Sequence, residues 1–176
     1  MAFIMTNLKK GMLMMYRKSK NRKDVLYILN HLRSEDLEEV KAVHGERWKS
    51  KVYKDIMKTE FDVLMGINEN GDIPVCMGGA WHLDKDEQGV GVVWMLCTDD
   101  IVNHKICLLR ELKKEFKKYD EKFWFLYNFI FYKNDFAKNW LKWMGFKFDK
   151  PNIEQLNINK NFEFFYRIRK RRGLEI

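Results

Sequence analysis

Asn128 lies in an aromatic run, with Phe123, Trp124, Phe125 and Tyr127 before it and Phe129, Phe131 and Tyr132 after it. A primary amide in such company must find hydrogen-bond partners, because burying it unpaired costs free energy. Two uses are open to it: a structural bond to a neighbouring strand, or a catalytic contact. Asp99 follows the apolar run that ends at Cys97. A carboxylate at the end of a strand can take a proton as a general base or can cap the turn that follows, and Asp99 is the candidate base. His82 and His104 stand at no spacing that would place them with other ligands on a metal, so no metal is expected. Cys76, Cys97 and Cys107 are odd in number and sit inside apolar segments, which reads as reduced thiols in a cytoplasmic protein.

Charge is concentrated at the ends. The net charge is +8, yet Lys9, Lys10, Arg17, Lys18, Lys20, Arg22 and Lys23 meet no acid before residue 24, and Arg167, Arg169, Lys170, Arg171 and Arg172 meet only Glu175. The middle is slightly acidic. Such ends suit a polyanion, since neutralising phosphates supplies most non-specific nucleic-acid affinity, or they are solvated tails that aid solubility. Residues 1–24 read as a basic N-terminal extension and residues 25–176 as a single domain, because 176 residues with two prolines contain no linker-like stretch. Lys9 and Lys10 interrupt the apolar start, which excludes a signal peptide, and no run is long enough to span a bilayer.

The elements that must carry these groups follow from periodicity. Residues 25–29 form an unbroken apolar run, predicted as a buried strand, and Ser34 is predicted to cap a helix over residues 35–43. A second helix is expected over residues 46–58, with Trp48, Val52 and Ile56 on one face. Residues 61–67 and 73–83 flank Asn70 and Gly71, the pair favoured in a hairpin turn. Residues 90–97 are apolar on both faces, the mark of a covered central strand. Ile106, Leu109, Leu112 and Phe116 repeat at helical spacing opposite Lys113, Lys114, Lys117 and Lys118, giving a helix over residues 103–119. The aromatic run is a second central strand, and the intervening helix makes the two parallel. Another helix over residues 135–144 ends at Gly145, and two strands close the chain.

That order, together with Asn134, Ala137, Gly145 and Phe146 in their relative spacing, resembles the GCN5-related N-acetyltransferases. The resemblance implies a mixed, mostly antiparallel central sheet flanked by about four helices, in the order β-α-α-β-β-β-α-β-α-β-β. A further likeness, to phage-encoded acetyltransferase-like proteins associated with internal virion proteins, rests on the segments from His31 to Glu39, Gly78-Gly79, Val93 to Asp100, and Trp140 to Phe146.

The family resemblance implies acetyl-CoA as acyl donor and an amine as acceptor. It also implies that main-chain groups near Leu96 and Thr98 hold the pantetheine arm and that Asn134 bonds the cofactor, beside which the positions of Asp99 and Asn128 make them the catalytic candidates. Two departures are visible. The family's glycine-bearing diphosphate loop corresponds here to a segment from Met95 to Cys107 that contains no glycine, which leaves His104 and Lys105 to supply charge. Leu141 stands where many members place a tyrosine acid. The sequence therefore carries two functional readings: an acyl-CoA-dependent N-acyltransferase, or a catalytically degenerate protein of the same fold that binds nucleic acid or a virion protein through its basic ends.

Overall fold

The computed structural model describes residues 14–18, 21–68, 71–82, 89–149 and 160–169. These form β1 (Met14–Lys18), α1 (Arg22–Asn30), α2 (Ser34–His44), α3 (Trp48–Ile56), β2 (Asp62–Asn68), β3 (Gly71–His82), β4 (Val90–Cys97), α4 (Lys105–Lys122), β5 (Phe125–Phe131), α5 (Asp135–Trp143), β6 (Lys147–Asp149) and β7 (Phe162–Ile168). Short 3₁₀ turns at Gly45–Arg47 and Asp99–His104 precede α3 and α4. No helix among the described residues is long and apolar enough to cross a membrane.

Contacts divide the chain into two units. The first takes the described residues up to Gly79 and Trp94–Leu112; the second takes Ala80–Val93 and the described residues from Lys113 onward. In the first, the strand order is β1-β2-β3-β4. β1 and β2, then β2 and β3, pair antiparallel, with a bulge between Leu64 and Met65. One face of these strands is covered by α1, α2 and α3, which pack Val25, Ile28, Val40, Trp48 and Val52 with Val63, Met77 and Leu96.

In the second unit the order is β4-β5-β7-β6. Val90, Gly91 and Val92 pair in parallel with Phe125, Leu126 and Tyr127, as the crossover required. β5 and β6 each pair antiparallel with β7. α5 and the later turns of α4 lie on one face of β5 and β7, where Phe116, Phe146 and Phe165 meet edge to face. Arg167 reaches Asp120, and Lys138 reaches Glu163, from the same side.

Two local expectations differ from the structure. Residues 25–29 are helical within α1, whose first turn is capped when Asn21 Oδ1 accepts from the Lys23 amide (3.0 Å). The run is short enough for either period, and burying Val25, Ile28 and Leu29 at helical spacing decides for the helix. The strand that opens the sheet is β1, within the segment read as a basic extension. Ser34 does not cap α2; its hydroxyl donates to Glu35 (3.1 Å), and Arg33 occupies the cap position. The remaining elements fall where periodicity put them, and Gly145 ends α5 at φ 85°.

Candidate functional site

The candidate site is built on the outer edge of β4, the edge away from β3. Three contacts set the register with β3. The Thr98 amide donates to the Val75 carbonyl (2.9 Å), the sulfurs of Cys76 and Cys97 lie 3.3 Å apart, and Gly78 is so close to β4 that a Cβ there would meet the Trp94 carbonyl at 2.8 Å. Val75 thus faces Thr98, Cys76 faces Cys97, and Gly78 faces Met95. Hydrogen-bonded and non-hydrogen-bonded pairs alternate along antiparallel strands. Thr98 and Leu96 therefore turn their peptide groups to β3, while Cys97, Met95 and Val93 turn theirs outward.

In the first unit the segment joining α1 to α2 takes the outward groups of Cys97. Its amide donates to Asp36 Oδ2 (2.8 Å), and its carbonyl accepts from the Arg33 amide (3.0 Å). Leu32 forms an isolated antiparallel bridge with Thr98. Asp36 is held by the guanidinium of its neighbour: Arg33 Nε donates to Oδ2 (3.2 Å) and Nη2 to Oδ1 (2.5 Å). Both residues are 4% exposed. Burial works against the Arg33 cation, but its bonds to Asp36 outweigh that and hold its pKa above the ordinary arginine value. A buried cation survives here because every charge in the clamp has a partner.

In the second unit a neutral side chain does the equivalent work. Asn128 Nδ2 donates to the Val93 carbonyl (2.8 Å), and Asn128 Oδ1 accepts from the Phe129 amide (2.8 Å). The amide takes up the edge where the parallel register, three residue pairs long, stops at Val92 and Tyr127. Between Val93 and Cys97 stands Met95, half-buried, whose outward peptide groups neither β3 nor these side chains take.

The other predicted residues have distinct surroundings. Leu96 belongs to the apolar core of the first unit. Thr98 is 1% exposed; its hydroxyl also donates to Val75 (3.3 Å), and its carbonyl accepts from Ile101 (3.1 Å). Asp99 is exposed at the first position of the 3₁₀ turn. His104 closes that turn, buried against β2 so tightly that a Cβ on Gly66 would lie 2.7 Å from its Nε2. Burial pushes the imidazole below the usual histidine range despite nearby Asp100, so it is neutral near pH 7. Lys105 is exposed at the start of α4. Asn134 caps α5, its Oδ1 accepting from the Ala137 amide (3.3 Å), and is buried. Leu141 is also buried, in α5. Among the described residues no group of three or more His, Cys, Asp or Glu is placed to hold a metal ion.

Part of the terminal charge is used inside the fold. Arg22 donates to the Tyr53 hydroxyl (2.7 Å), Arg167 to Asp120 (2.7 Å), and Arg169 to the Asp120 carbonyl. Lys9, Lys10, Lys20, Lys170, Arg171 and Arg172 lie outside the described residues. Sequence reasoning missed Arg33, Asp36 and Met95. The only local signal was an arginine three residues before an aspartate at a helix start, a spacing that puts opposite charges on one face.

No protein-family model matches the sequence, and no curated protein matches it significantly. Solved structures do match in shape. A GCN5-related N-acetyltransferase from Kribbella flavida aligns at TM-score 0.60 and 11% identity, covering 88% of this chain and 97% of that one. An acetyltransferase from Streptococcus agalactiae aligns at 0.59 and 14%, covering 90% and 99%. A GNAT-family acetyltransferase from Streptococcus pneumoniae aligns at 0.56 and 13%, covering 88% and 98%. At these identities the likeness establishes the fold: the chain has the mixed α/β architecture of the GCN5-related N-acetyltransferases.

Proposed function

We propose that the chain is an acyl-CoA-dependent N-acyltransferase that receives the thioester along the outer edge of β4, with the Met95 peptide amide as donor to the thioester oxygen. One observation carries this reading: on that edge the Val93 carbonyl is taken by the Asn128 side chain and the Cys97 groups by the Asp36 carboxylate and the Arg33 amide, whereas among the described residues those of Met95 face outward without such a contact. A fixed N–H aimed at an oxygen that gains charge stabilises the transition state without reorganising at the moment of reaction. Acetyl-CoA supplies the acyl group, and an amine accepts it. Asp99, exposed one residue beyond Thr98, takes the amine proton. Lys105, exposed at the start of α4, meets the diphosphate by charge. Thr98, Leu96 and His104 support the end of β4 from within the first unit, Asn134 caps α5 in the second, and Asn128 holds the Val93 carbonyl. With Leu141 buried and apolar, the leaving thiolate takes its proton from solvent.

Calorimetry with coenzyme A and acetyl-CoA tests the reading. A ligand specific to the native state must raise the unfolding midpoint as it saturates. Absence of heat and of any shift at about 1 mM ligand, the top of the ordinary KM range, overturns it.

A second reading, a protein of this fold without catalysis that meets nucleic acid or a virion protein through its basic ends, is favoured by the buried Leu141 and the neutral His104. It predicts polyanion binding that weakens steeply with salt and whose salt dependence flattens when residues 1–23, which carry seven of the basic side chains, are removed.

A further inference from the structure

We propose that Cys76 on β3 and Cys97 on β4 are a dithiol that closes to a cross-strand disulfide under a small peroxide oxidant. The two sulfurs are 3.3 Å apart, with the Cys97 thiol donating to the Cys76 sulfur, and both residues are 0% exposed. They face each other at a non-hydrogen-bonded position of the antiparallel pair, since the peptide groups of Cys97 are spent on Asp36 and Arg33. At such positions the Cα atoms stand about 4.5 Å apart, inside the span of about 4.4–6.8 Å that a disulfide bridges. Closure thus needs rotation of two side chains and no shift of either strand.

Hydrogen peroxide supplies the oxidising equivalents. The Cys76 sulfur attacks one peroxide oxygen; an S–O bond forms, the O–O bond breaks, and the departing hydroxide takes the Cys76 proton to leave as water. Cys97 then loses its proton and attacks the Cys76 sulfur. The S–S bond forms, and the hydroxyl departs with that proton as a second water. Two thiols have lost two electrons and two protons to one peroxide.

The surroundings make this a slow and selective event. The bond to Cys76, together with complete burial, holds the Cys97 thiol well above its ordinary pKa, and thiolate is the reactive form. A bulky alkylating reagent should therefore reach the half-buried Cys107 on α4 first. A molecule as small as peroxide enters through the brief openings that all native proteins undergo. The cross-link adds a covalent hold to a residue whose backbone Asp36 and Arg33 already grip, so oxidation stiffens the end of β4.

The test uses the full chain carrying Cys107→Ser, so that only the pair remains. After peroxide under native conditions, the intact mass should fall by two hydrogens, both thiols should disappear together, and peptides containing Cys76 and Cys97 should be joined until dithiothreitol is added. Closing a loop of this size should raise the unfolding midpoint by roughly 5–10 °C, reversibly. Added oxygen atoms without a cross-link overturn the proposal, as does thiol loss that appears only once the protein is unfolded. Neither outcome depends on whether coenzyme A binds.

Discussion

At Val93 the outer edge of β4 is finished by the neutral amide of Asn128, and at Cys97 by the ion pair of Arg33 and Asp36. Both devices take an outward peptide group of β4 with a side chain from another element, Asn128 at the Val93 carbonyl and Asp36 at the Cys97 amide, and the Arg33 main-chain amide adds the Cys97 carbonyl. They differ in burial. Asn128 is half-buried, so water can replace its bonds at modest cost, whereas Arg33 and Asp36 are each 4% exposed, and their charges meet in a bidentate pair that water cannot readily reach. An amide that fails leaves two weak vacancies, and a charge pair that fails leaves a desolvated ion. The structural commitment of the molecule is therefore heavier where β4 ends than where its parallel pairing stops.

The largest effect should come from breaking the clamp on one side. Asp36→Ala deprives the buried Arg33 guanidinium of its carboxylate and the Cys97 amide of its acceptor, and should destabilise the fold by about 3–5 kcal/mol in denaturant titration. The double change Arg33→Met with Asp36→Leu should cost clearly less than Asp36→Ala alone, because it removes both charges together. An equal or larger loss would mean that the bond to Cys97 outweighs the ion pair.

The neutral device should be the cheaper one to break. Asn128→Ala should cost about 1–2 kcal/mol, and its effect should add to that of Asp36→Ala, since the two share no partner. If the acyl donor binds at Met95, Asn128→Ala should also weaken coenzyme A in calorimetry.

Smaller still is the response to pH from His104. Its folded pKa is depressed, so below about pH 6.5 the unfolded chain binds a proton that the native state refuses, and stability falls as pH drops through that range. At pH 7 and above this contribution is intact. His104→Gln should flatten the slope between about pH 6.5 and 5 without removing it, because His44 is also held below its ordinary value, chiefly by burial. A slope unchanged by the substitution would show that His104 charges without penalty.

Asp99→Asn should move stability least, within about 0.5 kcal/mol, because the side chain is exposed. In an acetyl-transfer assay it should nonetheless lower turnover by about 10²-fold or more if Asp99 is the base. An unchanged rate would remove it from that role and leave the acceptor amine to lose its proton to solvent.

Much of the fold was legible because much of it is local. The helical repeat of α4, the glycine that ends α5 and the helix between the two apolar strands each follow from neighbours a few residues apart, and the crossover rule turned them into the parallel pair of β4 and β5. The misreading of residues 25–29 has the same origin, since five apolar residues satisfy either period until something packs on them. For the candidate site, Asn128 was legible as a polar residue in an apolar strand, and its bond to Val93 is the structural use that pattern allowed. The burial of His104 was not legible, because it depends on the absence of a side chain at Gly66, far away in sequence.

By itself the sequence determined most of the helices and strands from residue 34 onward, which two strands run parallel, and that a polar amide would lie among aromatics. Only the tertiary structure decided that Asp36 meets an amide 61 residues away and that Cys76 and Cys97 touch. The physical reason is that periodicity records which way a side chain points along its own element, whereas a hydrogen bond between distant residues depends on register. Register is set by the whole sheet at once.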